Sequence, residues 1–183
     1  KTGERIHRTV QHITWNAAAA QKGGFPTFML KEIHEQPGTT KAALSIDAEE
    51  IRALARMMHE SERTYLVGVG TTHYYFASLA GKFFPVVSSD EFEYSAEVND
   101  RTLFLCSSQS GETYDTLKAL RFAKKCGAKS AAVVNVVGSS ISREVDHAIM
   151  QSSGPEICVP STKAAISQMV VLLRAAIELG RLN

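Results

Sequence analysis

Thr102-Leu103-Phe104-Leu105-Cys106-Ser107-Ser108-Gln109-Ser110-Gly111-Glu112-Thr113 is the stretch whose reading decides the fold. Apolar residues at consecutive positions are expected of a strand covered on both faces, so Thr102 to Cys106 reads as a buried strand of a parallel sheet. A helical pattern follows. It carries Leu117, Leu120, Phe122 and Ala123 on its inner side, Lys124-Lys125 in its last turn and Gly127 as its stop. Ser107 to Thr113 is therefore the turn from strand to helix. The first N–H groups of a helix have no intrahelical partner, and together with the helix dipole they favour a phosphate. Ser108, Ser110 and Thr113 add hydroxyl donors without bulk, and Gly111 lets the backbone come close. The same residues also suit ordinary N-capping, and the turn alone does not separate the two readings.

Working outward, the pattern alternates strand and helix. Tyr65 to Val69 is a short apolar strand, and Gly70-Thr71-Thr72 turns into a helix from about His73 to Phe84. Val86-Val87 is a second strand, with a modest helix near Phe92 to Glu97. Ala131 to Val136 is a strand, Gly138-Ser139-Ser140 opens a short helix to about Glu144, and His147 to Met150 is a weaker fifth strand. Val159-Pro160-Ser161-Thr162 leads into a long last helix with Ile166, Met169, Val170, Leu173 and Ile177 at helical spacing. Before the sheet, a helix from Pro26 is expected to end or kink at Pro37-Gly38, and Asp47 starts another that runs to Met58. The expected fold is a three-layer α/β/α sandwich on a five-stranded parallel sheet with right-handed crossovers, flavodoxin-like but without a nucleotide.

Residues 1–24 do not fit that body. Arg5 to Ile13 alternates enough for an edge strand, and an alanine run then ends at Gly23-Gly24. A terminal strand with nothing to pair with implies a missing partner, so this piece is expected to be the tail of a preceding domain with its linker, and 25–183 the folded domain.

The chain of 183 residues carries a formal net charge of +1, with both signs spread along it. No basic stripe points to nucleic acid, and no apolar run reaches the length of a membrane span. Three cysteines without ligand spacing read as buried free thiols in a reducing cytoplasm, and six scattered histidines offer no metal site. The expectation is a cytoplasmic protein with no metal and no cofactor.

Ligands of open parallel sheets bind beyond the carboxyl ends of the strands. Four turns there carry hydroxyls: Thr71-Thr72, Ser108 with Ser110 and Thr113, Ser139-Ser140, and Ser161-Thr162. Together they are expected to form a donor-rich rim for a phosphate ester. Gly68-Val69-Gly70 lacks the third glycine of a dinucleotide fingerprint, no turn ends as a P-loop does, and no serine sits in a nucleophile elbow. Glu112, Lys163 and His73 are the titratable residues near the rim, and each has a plainer explanation: a capping contact, an ion pair, a place at a helix start. The rim is better equipped to hold a sugar phosphate than to transform it, so no catalytic residue is assigned.

With Gly70-Thr71-Thr72 before it and Val159 to Ala164 after it, the Ser108 to Thr113 turn resembles the sugar isomerase (SIS) domain. Lys22 to Phe25 and Phe28 to Pro37 are similar to the junction between glutaminase and isomerase halves in the glutamine:fructose-6-phosphate amidotransferase family. The resemblance implies that Thr72, Ser108, Gln109, Ser110 and Thr113 hold the phosphate of fructose 6-phosphate or glucosamine 6-phosphate, with Thr71, Val159 and Ser161 along the sugar. It further implies a glutaminase domain and a second SIS domain as partners in one enzyme, with a homodimer as the assembly. The glutaminase cysteine and the residues of isomerisation are expected outside this chain. Thr72 stands where the family commonly has serine, and Pro160 where a small residue is common. A sugar-phosphate sensor and a stand-alone aldose–ketose isomerase, the latter needing a base in this chain, are the other readings.

Overall fold

A computed structural model describes Val10, Trp15 and residues 17–183 of the chain. The stretch Arg5 to Ile13, read as an edge strand, lies outside the described residues but for Val10. After a 3-10 turn at Ala17–Ala20 come helices α1 (Phe28–Leu44) and α2 (Ala48–Glu60), then strand β1 (Arg63–Gly68), α3 (Thr71–Ala80), β2 (Val86–Ser88) and α4 (Phe92–Ser95). The second half runs β3 (Thr102–Ser108), α5 (Tyr114–Lys125), β4 (Lys129–Val134), α6 (Ser140–Glu144), β5 (His147–Met150) and α7 (Lys163–Leu182). All strand pairs are parallel, in the order β2-β1-β3-β4-β5. The expected five-stranded three-layer sandwich is the observed one.

Strand β3 shows why both faces must be apolar. Leu103 and Leu105 point into a core shared with α1, α2, α3 and α7, whereas Phe104 and Cys106 point into a second core under α4, α5 and α6. In the second core, Phe92 meets Phe104 and Tyr65 edge-on at centroid distances of 5.2 and 5.5 Å, the arrangement aromatic quadrupoles favour. Complete burial pushes the Cys106 thiol up to about 12, which leaves it unreactive. Cys126 and Cys158 are also free but only half-buried. Among the described residues no helix is long and apolar enough to cross a membrane.

Boundaries differ from the sequence reading in instructive ways. Helix α1 continues through Pro37 and Gly38 to Leu44. Its far end is held by α7: the Arg174 guanidinium donates to the Ala43 and Ile46 carbonyls at 2.8 and 2.9 Å, and the Ser167 hydroxyl donates to the Thr39 carbonyl. Those contacts offset the bond that proline cannot donate. Strand β4 covers Lys129–Val134 rather than 131–136, because β3 supplies partners from Leu103 to Ser108 and no further. Helix α7 buries Ala164, Ser167, Gln168, Val171 and Ala175, and leaves Leu173 and Ile177 exposed. It lies between the sheet and α1 and α2, where small residues fit and bulky ones do not.

The turn before β5 is locked by one carboxylate. Asp146 Oδ2 accepts from the Ser130 amide at 2.8 Å and from the Ser130 hydroxyl at 2.7 Å. Burial pushes the Asp146 carboxyl up, but the Ser130 and Lys124 hydrogen bonds outweigh it and hold the group below its ordinary value. A depressed carboxyl contributes stability that is present above its unfolded value and lost as pH falls through its folded one. Asp146→Ala is expected to cost about 1 kcal/mol at neutral pH. Urea melts at pH 7 and below pH 4 check this, since the deficit shrinks at the lower pH; a constant deficit would assign it to packing instead.

Candidate functional site

The sheet order places its switch point between β1 and β3, whose following helices leave on opposite faces. A crevice therefore opens above the carboxyl ends of these two strands. It is a cleft of about 310 Å3 lined by Val69 to Thr72, Ser107 to Ser110, Thr113, Thr116 and Val159 to Ser161. Thr71, Thr72, Ser108, Gln109, Ser110, Thr113, Val159 and Ser161, the residues singled out in the sequence, all border it.

Three segments build the cleft. The first is the start of α3, which begins at Thr71 directly after Gly70 in a left-handed conformation (φ 58°). Gly70, Thr71 and Thr72 border the opening, at the helix end whose first N–H groups have no intrahelical partner. The second is the end of β3 and the turn into α5. The strand reaches two residues further than expected, so Ser107 and Ser108 are the last strand residues and both are buried. Ser107 donates its hydroxyl to the Val133 carbonyl at 3.2 Å and forms part of the floor. The Ser108 hydroxyl accepts from the Gly111 amide at 3.0 Å and shares a proton with the Thr113 hydroxyl at 3.0 Å. These bonds fold the loop back on itself, so that α5 begins at Tyr114 with its dipole toward the cleft. Gly111 takes a positive φ of 65° to close this loop.

The third segment is the irregular strap from Gln151 to Thr162 before α7. Val159 is 98% exposed on it. Two carboxylates fasten it. Glu156 Oε1 accepts from the Thr162 and Ala164 amides at 2.9 and 3.0 Å, capping α7 from outside the helix because its N-cap residue Thr162 makes no side-chain cap bond. Glu156 Oε2 accepts from the Ser161 hydroxyl at 3.2 Å. Glu32, on α1, accepts from the Ile157 and Cys158 amides at 2.7 and 3.0 Å and from the Thr162 hydroxyl at 2.8 Å.

The fourth expected turn is not part of the cleft. Ser139 is buried behind Gly111, and Ser140 donates its amide to Glu112 Oε1 at 2.7 Å. The rim is thus three turns rather than four, because Gly111 and Ser139 pack back to back. Glu112 caps α6, not its own helix, and the Ser140 donors hold its carboxyl below the ordinary value. Lys163 is buried and pairs with Glu35 at 2.6 Å, and His73 lies in the first turn of α3 without lining the cleft. Among the described lining residues there is no lysine, arginine, histidine or carboxylate. Thr116 was missed in the sequence although it stands three residues after Thr113, on the same helix face. It pairs with Ser89 at 2.9 Å in the wall. Glu32 and Glu156 were missed because nothing local marks a carboxylate that acts on amides far along the chain.

Residues 57–178 match the model of the SIS domain. The chain is 46% identical over 187 residues to a glutamine–fructose-6-phosphate aminotransferase [isomerizing] of Methanocaldococcus jannaschii, covering 98% of this chain and 17% of that protein. It is 44% identical to the like-named protein of Clostridium tetani, covering 100% of this chain and 33% of that protein. Among solved structures, the C-terminal domain of glucosamine-fructose-6-phosphate aminotransferase from Francisella tularensis superposes with a TM-score of 0.73 at 34% identity, over 88% of this chain and 49% of that one. The chain therefore spans a third or less of the length of these two curated relatives.

Proposed function

From the premise that the chain belongs to the SIS domain family, we propose that its cleft binds fructose 6-phosphate or glucosamine 6-phosphate. In this reading it serves as the first SIS domain of a glutamine–fructose-6-phosphate aminotransferase, which moves ammonia from glutamine to fructose 6-phosphate and isomerises the adduct. Thr72, Ser108, Gln109, Ser110 and Thr113 take the phosphate; Thr71, Val159 and Ser161 border the sugar. Residues 1–24 belong to the tail and linker of a glutaminase domain, 25–183 form the SIS domain, and a second SIS domain completes the enzyme, which works as a cytoplasmic homodimer.

The observation that carries this reading is the lining itself: neutral hydroxyl, amide and backbone donors between the starts of α3 and α5, over the switch point. Such a cradle suits a phosphate through N–H dipoles and hydroxyls rather than through an ion pair. Among the described lining residues there is no base, which favours a binding role over a stand-alone isomerase. Calorimetric titration tests the reading. Fructose 6-phosphate is expected to bind more tightly than inorganic phosphate, and unphosphorylated fructose not measurably; equal binding of fructose and its phosphate would refute it. The chain alone, given fructose 6-phosphate and ammonia, is expected to form no glucosamine 6-phosphate, whereas turnover would place catalytic groups within it.

A further inference from the structure

Glu32 is an anomaly of α1. It is 1% exposed, although Met29, Leu30 and Ile33 on the same helix are 38 to 44% exposed. A carboxylate is costly to bury unless its oxygens are met by donors. Glu32 has three, and none is local: Ile157 N, Cys158 N and the Thr162 hydroxyl lie 125, 126 and 130 residues along the chain. The two amides converge on Oε1 and the hydroxyl on Oε2. Thr162 also lies 3.0 Å from Glu156 Oε1, but a hydroxyl has one proton and that oxygen already receives two amides. The Thr162 proton therefore belongs to Glu32.

These bonds bracket Val159, Pro160 and Ser161, which are the strap's contribution to the cleft. Val159 and Pro160 are exposed, so packing does little to hold them and their position follows from the anchors on either side. Ser161 gives its proton to Glu156 and so presents an acceptor to the cleft. An acceptor suits a sugar hydroxyl and not a phosphate oxygen. We propose that Glu32 is a positioning residue that sets the sugar-facing wall of the cleft from the opposite end of the chain, leaving the phosphate turn at Ser108 to Thr113 untouched. This rests on the sugar-phosphate reading of the cleft.

The test uses Glu32→Ala and Glu32→Gln in the intact protein, with hydrogen exchange at the Ile157 and Cys158 amides and titrations of fructose 6-phosphate and inorganic phosphate. Glu32→Ala is expected to strip protection from both amides and to weaken fructose 6-phosphate about tenfold or more, with inorganic phosphate changed less than about twofold. Glu32→Gln is expected to restore both properties to within about threefold, since its carbonyl oxygen still accepts from the amides and its NH2 donates to the Thr162 hydroxyl. Protected strap amides in Glu32→Ala, or an equal loss for both ligands, would overturn the proposal. If Glu32→Ala does not fold, Thr162→Val serves: a lowered preference for fructose 6-phosphate over phosphate supports the proposal and an unchanged one overturns it. Should the wild-type protein bind neither ligand, the sugar-phosphate reading falls, while amide exchange still decides whether Glu32 holds the strap.

Discussion

Gly111→Ala is expected to lower the stability of the protein by about 2 to 4 kcal/mol, the sum of a left-handed backbone penalty and of overpacking. Gly111 sits at φ 65°, where a side chain is strained whatever the space around it. Here there is no space either. A methyl group would lie 2.5 Å from Ser139 Cβ and closer still to the Ser139 hydroxyl. Ser139 cannot retreat easily, because it opens α6, and the Ile141 amide ties that helix to the Gly111 carbonyl at 3.0 Å. Thermal unfolding followed by circular dichroism should show a fall of roughly 10 °C. A midpoint within about 2 °C of the wild type would mean that the turn relaxes freely. Adding Ser139→Gly should recover the steric part and not the backbone part, so the double variant falls between the two.

The same contact explains how far the sequence could be read. Strand and helix order were legible because the central strands β1, β3 and β4 are buried on both faces, whereas the edge strands β2 and β5 are only partly buried and read as short or weak. The Ser108 to Thr113 turn was legible because hydroxyls and a glycine at a strand-to-helix junction have a local meaning. Ser139-Ser140 has the same local signature, yet it packs behind Gly111 and caps α6 through Glu112, so its exclusion from the cleft is a matter of tertiary packing. Helices α1 and α7 depart from the usual rule at several positions. Lys31, Glu32, Lys163 and Gln168 are buried while Met29, Ile33, Leu173 and Ile177 are exposed, because the two helices meet through polar and small residues. Hydrophobic periodicity finds the helices, and on α7 Met169 and Val170 do pack against the core, but it does not mark the buried polar residues or the exposed Leu173 and Ile177.

Ser108→Ala is expected to weaken fructose 6-phosphate and inorganic phosphate alike by roughly a hundredfold, the upper range for losing a hydrogen bond to a charged group. Two losses combine at this residue. It borders the cleft at the turn proposed to seat the phosphate, and its hydroxyl also accepts from the Gly111 amide and pairs with Thr113, at 3.0 Å each. Thr113→Ala removes a hydroxyl but leaves the Gly111 amide satisfied, so about a tenfold loss is expected. Because the two hydroxyls share one bond, the double variant should cost less than the product of the single losses. Ser161→Ala provides the contrast: it lies on the strap and should weaken fructose 6-phosphate while sparing inorganic phosphate. Calorimetry on the three single variants with both ligands separates a phosphate end from a sugar end within one cleft. Unchanged affinity in both Ser108→Ala and Thr113→Ala would remove the phosphate from this turn and leave its hydroxyls as scaffolding for α5.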